Sequence, residues 1–383
     1  MSTRTDHLQR PRRAPTVGQV IGSLWFWLTL ALLAAIAIET PLRRSRLEHL
    51  AHTSAITGEQ PAWVQYVMVG LGGFRGVIAE TLWMRAARLQ EQGRYFEQVQ
   101  LADWITTLDP RSTDAWVFNS WNLAYNISAM MPRFEDRLTW IDAGIALLRD
   151  RAIPINPTDA RLYRELGWLY QNKIGDAADP AHRLYKLALA IPLSPLLTPQ
   201  GGLPAADSDA ARHLQRDFRL DCSRMHALES HVGQLDWRLP KSHAIYWAWS
   251  GLPVARGFEH QALRRMIHQN LMVLVENGRF TGDLAKGQFT TAPNPDLIPA
   301  TTAFFEETVR LYPNETKVFA RYLSFVIRMQ SQSGDHTGAR QSYLRLLKLA
   351  GNRHYVPEFE TLASQTQLDE TFFSPIDPGH QAP

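Results

Sequence analysis

The chain has 383 residues, 45% hydrophobic and 20% charged, with 12 Trp, 1 Cys and a formal net charge of +3. That composition excludes a disordered chain and a disulfide-stapled fold, and leaves room for two domains or one elongated repeat array. Residues 1–50 carry seven Arg against three acidic residues, net +4, which leaves −1 on the other 333; the body therefore lacks the basic patch of a nucleic-acid binder, and no nucleic-acid partner is expected.

In chain order, residues 1–16 form a basic tail. Residues 17–38 contain "VIGSLWFWLTLALLAAIAI", Val20–Ile38, 19 residues without a charge. As a helix this run spans about 28 Å, close to a hydrocarbon core of about 30 Å, so a transmembrane helix is expected. Ala35-Ile36-Ala37 has the A-x-A form of a signal-peptide cleavage site, but apolar residues reach it without a polar break, which favours a permanent anchor. Four Arg before the segment and three after it point weakly to a cytoplasmic N-terminus and a body on the periplasmic side.

Residues 39–60 form a polar connector. Residues 61–192 form a first helical half, opening on Ala62–Phe74, 13 uncharged residues, too short to span a membrane and read as a buried helix. From Val77 the apolar pattern has helical period. It predicts helices over 77–92, 94–107, 113–128, 135–150, 159–173, 180–191, 207–231, 241–251, 258–277, 298–311, 315–331 and 336–349. Pro and Gly mark a loop at 193–209 and another at 280–299. A second helical half covers 210–371, and 372–383 is expected to be a disordered tail. Alternating β-branched runs are nearly absent, so the expected class is all-α.

"RLYRELGWLYQNKIG", 161–175, places Gly167 in mid-helix, where glycine costs about 1 kcal/mol relative to alanine. Tyr163-x2-Leu166-Gly167-x2-Tyr170 resembles the first-helix pattern of a tetratricopeptide repeat (TPR), with Tyr in place of Trp. Ala181-x3-Tyr185, followed by Ala188 and Pro192, resembles its second helix. Weaker matches surround Gly93-x-Tyr95, Trp247 with Gly251, and Phe319-x2-Tyr322. The resemblance implies an α-solenoid of helical hairpins in which Gly167 lets the Ala181–Ala188 helix approach. It further implies a concave face that binds protein or peptide partners, and Asn residues there that hold a peptide backbone.

No GxGxxG, Walker loop, HExxH, CxxC pair or GxSxG occurs, so neither enzyme activity nor a cofactor is expected. Cys222, His226 and His231 fall short of four convergent metal ligands, and no metal is expected. Two groups are candidate partner-binding residues. Asn119, Asn122 and Asn126 share one helix face, and Trp237, Arg238 and Trp249 lie in the most aromatic-dense stretch; a wet helix face and a packed core are the competing readings. The combined expectation is a single-pass bacterial inner-membrane protein with a TPR-like solenoid body, acting as a scaffold in an envelope assembly or secretion complex. The alternatives are an enzyme or a metal- or glycan-binding protein with a site near 222–260, and a self-associating structural protein.

Overall fold

Apolar residues at helical spacing become helices almost throughout residues 74–365 and 372–373, the part described by the computed structural model. They form α1 (Phe74–Glu91), α2 (Tyr95–Leu108), α3 (Thr113–Trp121), α4 (Phe134–Ala146), α5 (Ala160–Trp168), α6 (His182–Leu193) and α7 (Asp209–Phe218). There follow α8 (Cys222–Val232), α9 (Pro240–Gly251), α10 (Gly257–Asn277), α11 (Ile298–Leu311), α12 (Thr316–Gln332), α13 (His336–Ala350) and α14 (Phe359–Ser364). Three of these helices, α3, α4 and α5, run on into π-helical turns at Asn122–Ile127, Leu147–Ala152 and Leu169–Ile174.

The helix expected over 207–231 is two. Arg219 turns left-handed at φ 57°, and the Asp221 carboxylate caps α8 by accepting from the Arg224 amide at 3.0 Å, which fixes a new N-terminus. The loop expected at 280–299 holds a two-residue antiparallel ladder, β1 (Arg279–Phe280) against β2 (Thr291–Ala292), with Phe280 opposite Thr291.

Helices pair as hairpins: α1 with α2, the turn after α3 with α4, α9 with α10, and α12 with α13. The α3 and α5 units are in register 47 positions apart. Tyr125 Oη donates to Asn172 Oδ1 and Arg161 bonds Asp114, each pair separated by 47. Two anchors repeat at that spacing: Trp116 Nε1 donates to the Pro110 carbonyl at 2.9 Å, and Tyr163 Oη to the Pro157 carbonyl at 3.0 Å.

The TPR reading fails on this geometry. Its period is about 34 residues, not 47. An added Cβ at Gly167 would lie 2.7 Å from Met266 Sδ and 3.2 Å from the Ala244 carbonyl. The helix crowded against Gly167 is thus α9, backed by α10, and not the Ala181–Ala188 helix. Gly251 reciprocates: its Cβ would meet Tyr163 Cβ at 2.8 Å. Because 167 faces 244–248 while 163 faces 251, α5 and α9 run antiparallel. Trp247 and Gly251 lie on α9, which packs on α5 and forms a hairpin with α10. Leu166, Tyr170 and Tyr185 are buried, whereas Ala188 is half-exposed.

One large core runs from Trp116 to Phe373, and a small separate cluster of Ala86, Leu89, Leu101, Ile105 and Ala115 holds the α1–α2 hairpin. The transmembrane helix expected at 17–38 lies outside the described residues. Among the described residues no helix is long and apolar enough to cross a membrane.

Candidate functional site

Between α1, α3 and α5 lies a cleft of about 470 Å³. Trp83, Phe118, Trp121 and Tyr125 form its walls. Its polar rim comprises Gln90, Asn122, Asn126, Asp114 and Arg161. Trp83 meets Phe118 edge-on at 5.1 Å, and Trp121 lies over Tyr125 at 4.8 Å with an interplanar angle of 31°.

The π turn sets this arrangement. Its i→i+5 bonding widens the turn, so residues four apart come onto one line: Trp121 with Tyr125, and Asn122 with Asn126. Gly144 seats the turn from behind, since a Cβ there would lie 2.8 Å from the Ser120 carbonyl; Ser120 Oγ donates to the Gly144 carbonyl at 2.9 Å.

Each wall residue is held by a named partner. Trp121 is 37% exposed, yet its Nε1 donates to Glu165 Oε2 at 2.9 Å. Glu165 is buried and pairs with Arg164 at 3.0 Å, which in turn reaches Glu259 at 2.8 Å. Tyr125 donates its hydroxyl proton to Asn172, and burial raises its pKa further above the ordinary tyrosine value, so it is a neutral donor. Asn122 Nδ2 donates to the Tyr95 carbonyl at 3.3 Å, and Asn122 Oδ1 accepts from Asn126 Nδ2 at 3.0 Å. Asp114 and Arg161 neutralise each other in an ion pair. The result is an aromatic surface with fixed amides and no unpaired charge at its rim, suited to uncharged ligands that present an apolar face.

Of the three asparagines singled out from the sequence, Asn122 and Asn126 line this cleft, while Asn119 is 2% exposed and its Oδ1 accepts no hydrogen bond. Trp83, Trp121 and Arg161 were not legible from spacing. Trp121 sits among the asparagines in "FNSWNLAYNIS", four residues before Tyr125 and so on its face of the helix, but nothing in the spacing tells an indole that lines a cleft from one packed in the core.

The aromatic-dense stretch splits differently. Trp237 is fully buried, its Nε1 donating to Glu229 Oε1 at 2.8 Å. Arg238 forms a fork on Asp236, at 2.8 and 2.7 Å, and covers the Phe280 ring at 4.8 Å. A Cβ at Gly201, where φ is +82°, would fall on the Asp236 carboxylate, so this ion pair clamps the 198–202 loop. Trp249 is half-exposed, against His231 at 4.9 Å. Cys222 Sγ and His226 Nε2 both reach the Pro204 carbonyl, at 3.6 and 3.2 Å. No three His, Cys, Asp or Glu groups converge as a metal site among the described residues.

No protein-family model and no curated protein matches the chain. With the 47-residue register, this removes the TPR identity, and with it the peptide scaffold of an envelope complex that the resemblance implied. The membrane as a partner and the single-pass inner-membrane location are not supported either: no helix among the described residues is long and apolar enough to cross a bilayer. What stands is an all-α chain of repeating helix pairs.

Proposed function

We propose that the protein is a non-catalytic binding protein whose α1–α3–α5 cleft takes a small uncharged organic molecule. The observation that carries this reading is the four-aromatic wall with its amide rim in a space of about 470 Å³, within the range of small-molecule sites. Binding is favoured over catalysis by the polar groups themselves. The one carboxylate lining the cleft, Asp114, is committed to Arg161. Hydrolysis of a glycoside would need a second carboxylate across the site, and covalent catalysis a nucleophile beside a base; the lining residues supply neither.

Ligand-observed NMR on the full-length chain with a library of small organic fragments tests this. Fragments are expected to bind, to lose binding in Trp121→Ala, and to keep it in Trp104→Ala, whose residue is exposed outside the cleft. No binding, or binding indifferent to Trp121→Ala, would overturn the reading.

A further inference from the structure

We infer that the ligand class of this cleft is a neutral saccharide, an inference that rests on the cleft being a ligand site. Three features of the rim lead there. First, its groups are mixed in kind: Asn126 has a free carbonyl and a second amide N–H, and the Asp114–Arg161 pair keeps further acceptor and donor positions beyond the bond they share. A ligand edge that both donates and accepts at every position meets such a rim without leaving groups unpaired, and hydroxyls do this. A nucleobase edge has a fixed donor–acceptor order and needs a matching fixed pair. The free amide edge of Asn126 matches such an order at two positions only, since Asn122 has its Nδ2 on the Tyr95 carbonyl and its Oδ1 on Asn126.

Second, the platform is an indole with one face open. Trp121 is 37% exposed and lies tilted over Tyr125 on its other side. A single open aromatic face suits the C–H face of a sugar ring; a planar base gains most when stacked on both sides. Third, Asp114 and Arg161 pair with each other and leave the rim no net charge, so a carboxylated or sulfated sugar gains no net electrostatic attraction over a neutral one. The Glu165 brace on the Trp121 indole fixes the platform before the ligand arrives and limits the entropy lost on binding.

The test is calorimetric titration of the full-length chain with cellotetraose, maltotetraose, xylotetraose and chitotetraose, and with tetragalacturonate as the charged counterpart. At least one neutral tetrasaccharide is expected to bind and tetragalacturonate to bind at least about tenfold more weakly. Trp121→Ala is expected to weaken binding about tenfold or more, and Trp249→Ala, outside the cleft, to leave it unchanged. Trp121→Phe, which keeps a ring but drops the bond to Glu165, should retain part of the affinity and guards against misfolding of the alanine variant. Failure of all four neutral sugars, or preference for tetragalacturonate, overturns the saccharide assignment. If fragments still bind the cleft in that case, the binding reading survives alone; if they do not, both fall.

Discussion

At Gly167 the chain gives up about 1 kcal/mol of helix propensity and gains a contact that a larger residue would prevent. The Ala244 carbonyl stands 3.2 Å from where its Cβ would be, and Met266 Sδ 2.7 Å. A sulfur can swing aside; a helix carbonyl cannot. Gly167→Leu should destabilise the fold by roughly 2–3 kcal/mol through overpacking, read as a lower urea midpoint with an unchanged slope. Retention of the wild-type midpoint would mean that α5 and α9 are not pressed together there.

Two buried histidines set the acid limit. His243, stacked on Tyr170 and bonded through Nε2 to the Trp237 carbonyl, is held down to about 4 by desolvation. His268, stacked on Phe305, is held down to about 4 by the same cause, with Glu315 4.0 Å away and Arg264 and Arg265 adding to the depression. A histidine whose folded pKa lies below its unfolded value of about 6.5 stays neutral in the native state while the unfolded chain takes up a proton. Stability is therefore intact above about 6.5 and falls as pH drops towards 4, by about 2 kcal/mol per histidine at pH 5. Asp142, raised to about 6 by desolvation, acts in the opposite sense, but its side chain is exposed and offsets only part. Urea melts at pH 7 and 5 should differ by a few kcal/mol, and His243→Gln should narrow the gap. Equal stability at the two pH values would show these rings to be wetter than the structure has them.

At the level of elements, the α1–α2 hairpin is held chiefly by a small cluster of its own, and only the half-buried Tyr95 and Val99 of α2 pack against the main core. Local opening follows local burial. Amides of α2 should exchange hydrogen well before those of α9 and α10, whose inner faces are buried from Ala244 to Val275. Equal protection in native-state exchange would show that the hairpin and the main core unfold together. Since α1 supplies Trp83 to the cleft, ligand binding should slow exchange in this hairpin more than in α9.

Helix positions were largely readable from the sequence because each depends on neighbours three and four residues away. Pairings were less readable. The α5–α9 contact joins residues about eighty positions apart, and no local pattern encodes which helix returns to Gly167. The 47-residue register was hidden because Trp116 in one unit is Tyr163 in the next, one indole and one phenol making the same bond to a proline carbonyl. Two of the ten residues lining the cleft, Asn122 and Asn126, stood out by their spacing. The rest depended on which helices, α1 and α5, pack beside that face, which no local pattern encodes. Trp237 and Arg238 carried the composition of a binding surface and serve instead as core and loop clamp; sequence alone does not tell a buried indole with a satisfied N–H from an exposed one.

On the scale of the whole molecule, helix hairpins pack along one main core, and the 47-residue register of the α3 and α5 units places an aromatic cleft between them and α1. The most direct measurement is hydroxyl-radical footprinting of the full-length chain with and without its tightest cleft ligand, read by mass spectrometry at single residues. Protection should concentrate at Trp83, Trp121 and Tyr125, leaving Trp104 and Phe258, both exposed outside the cleft, oxidised as before. Protection at Trp104 or Phe258 with no change at Trp121 would contradict the account.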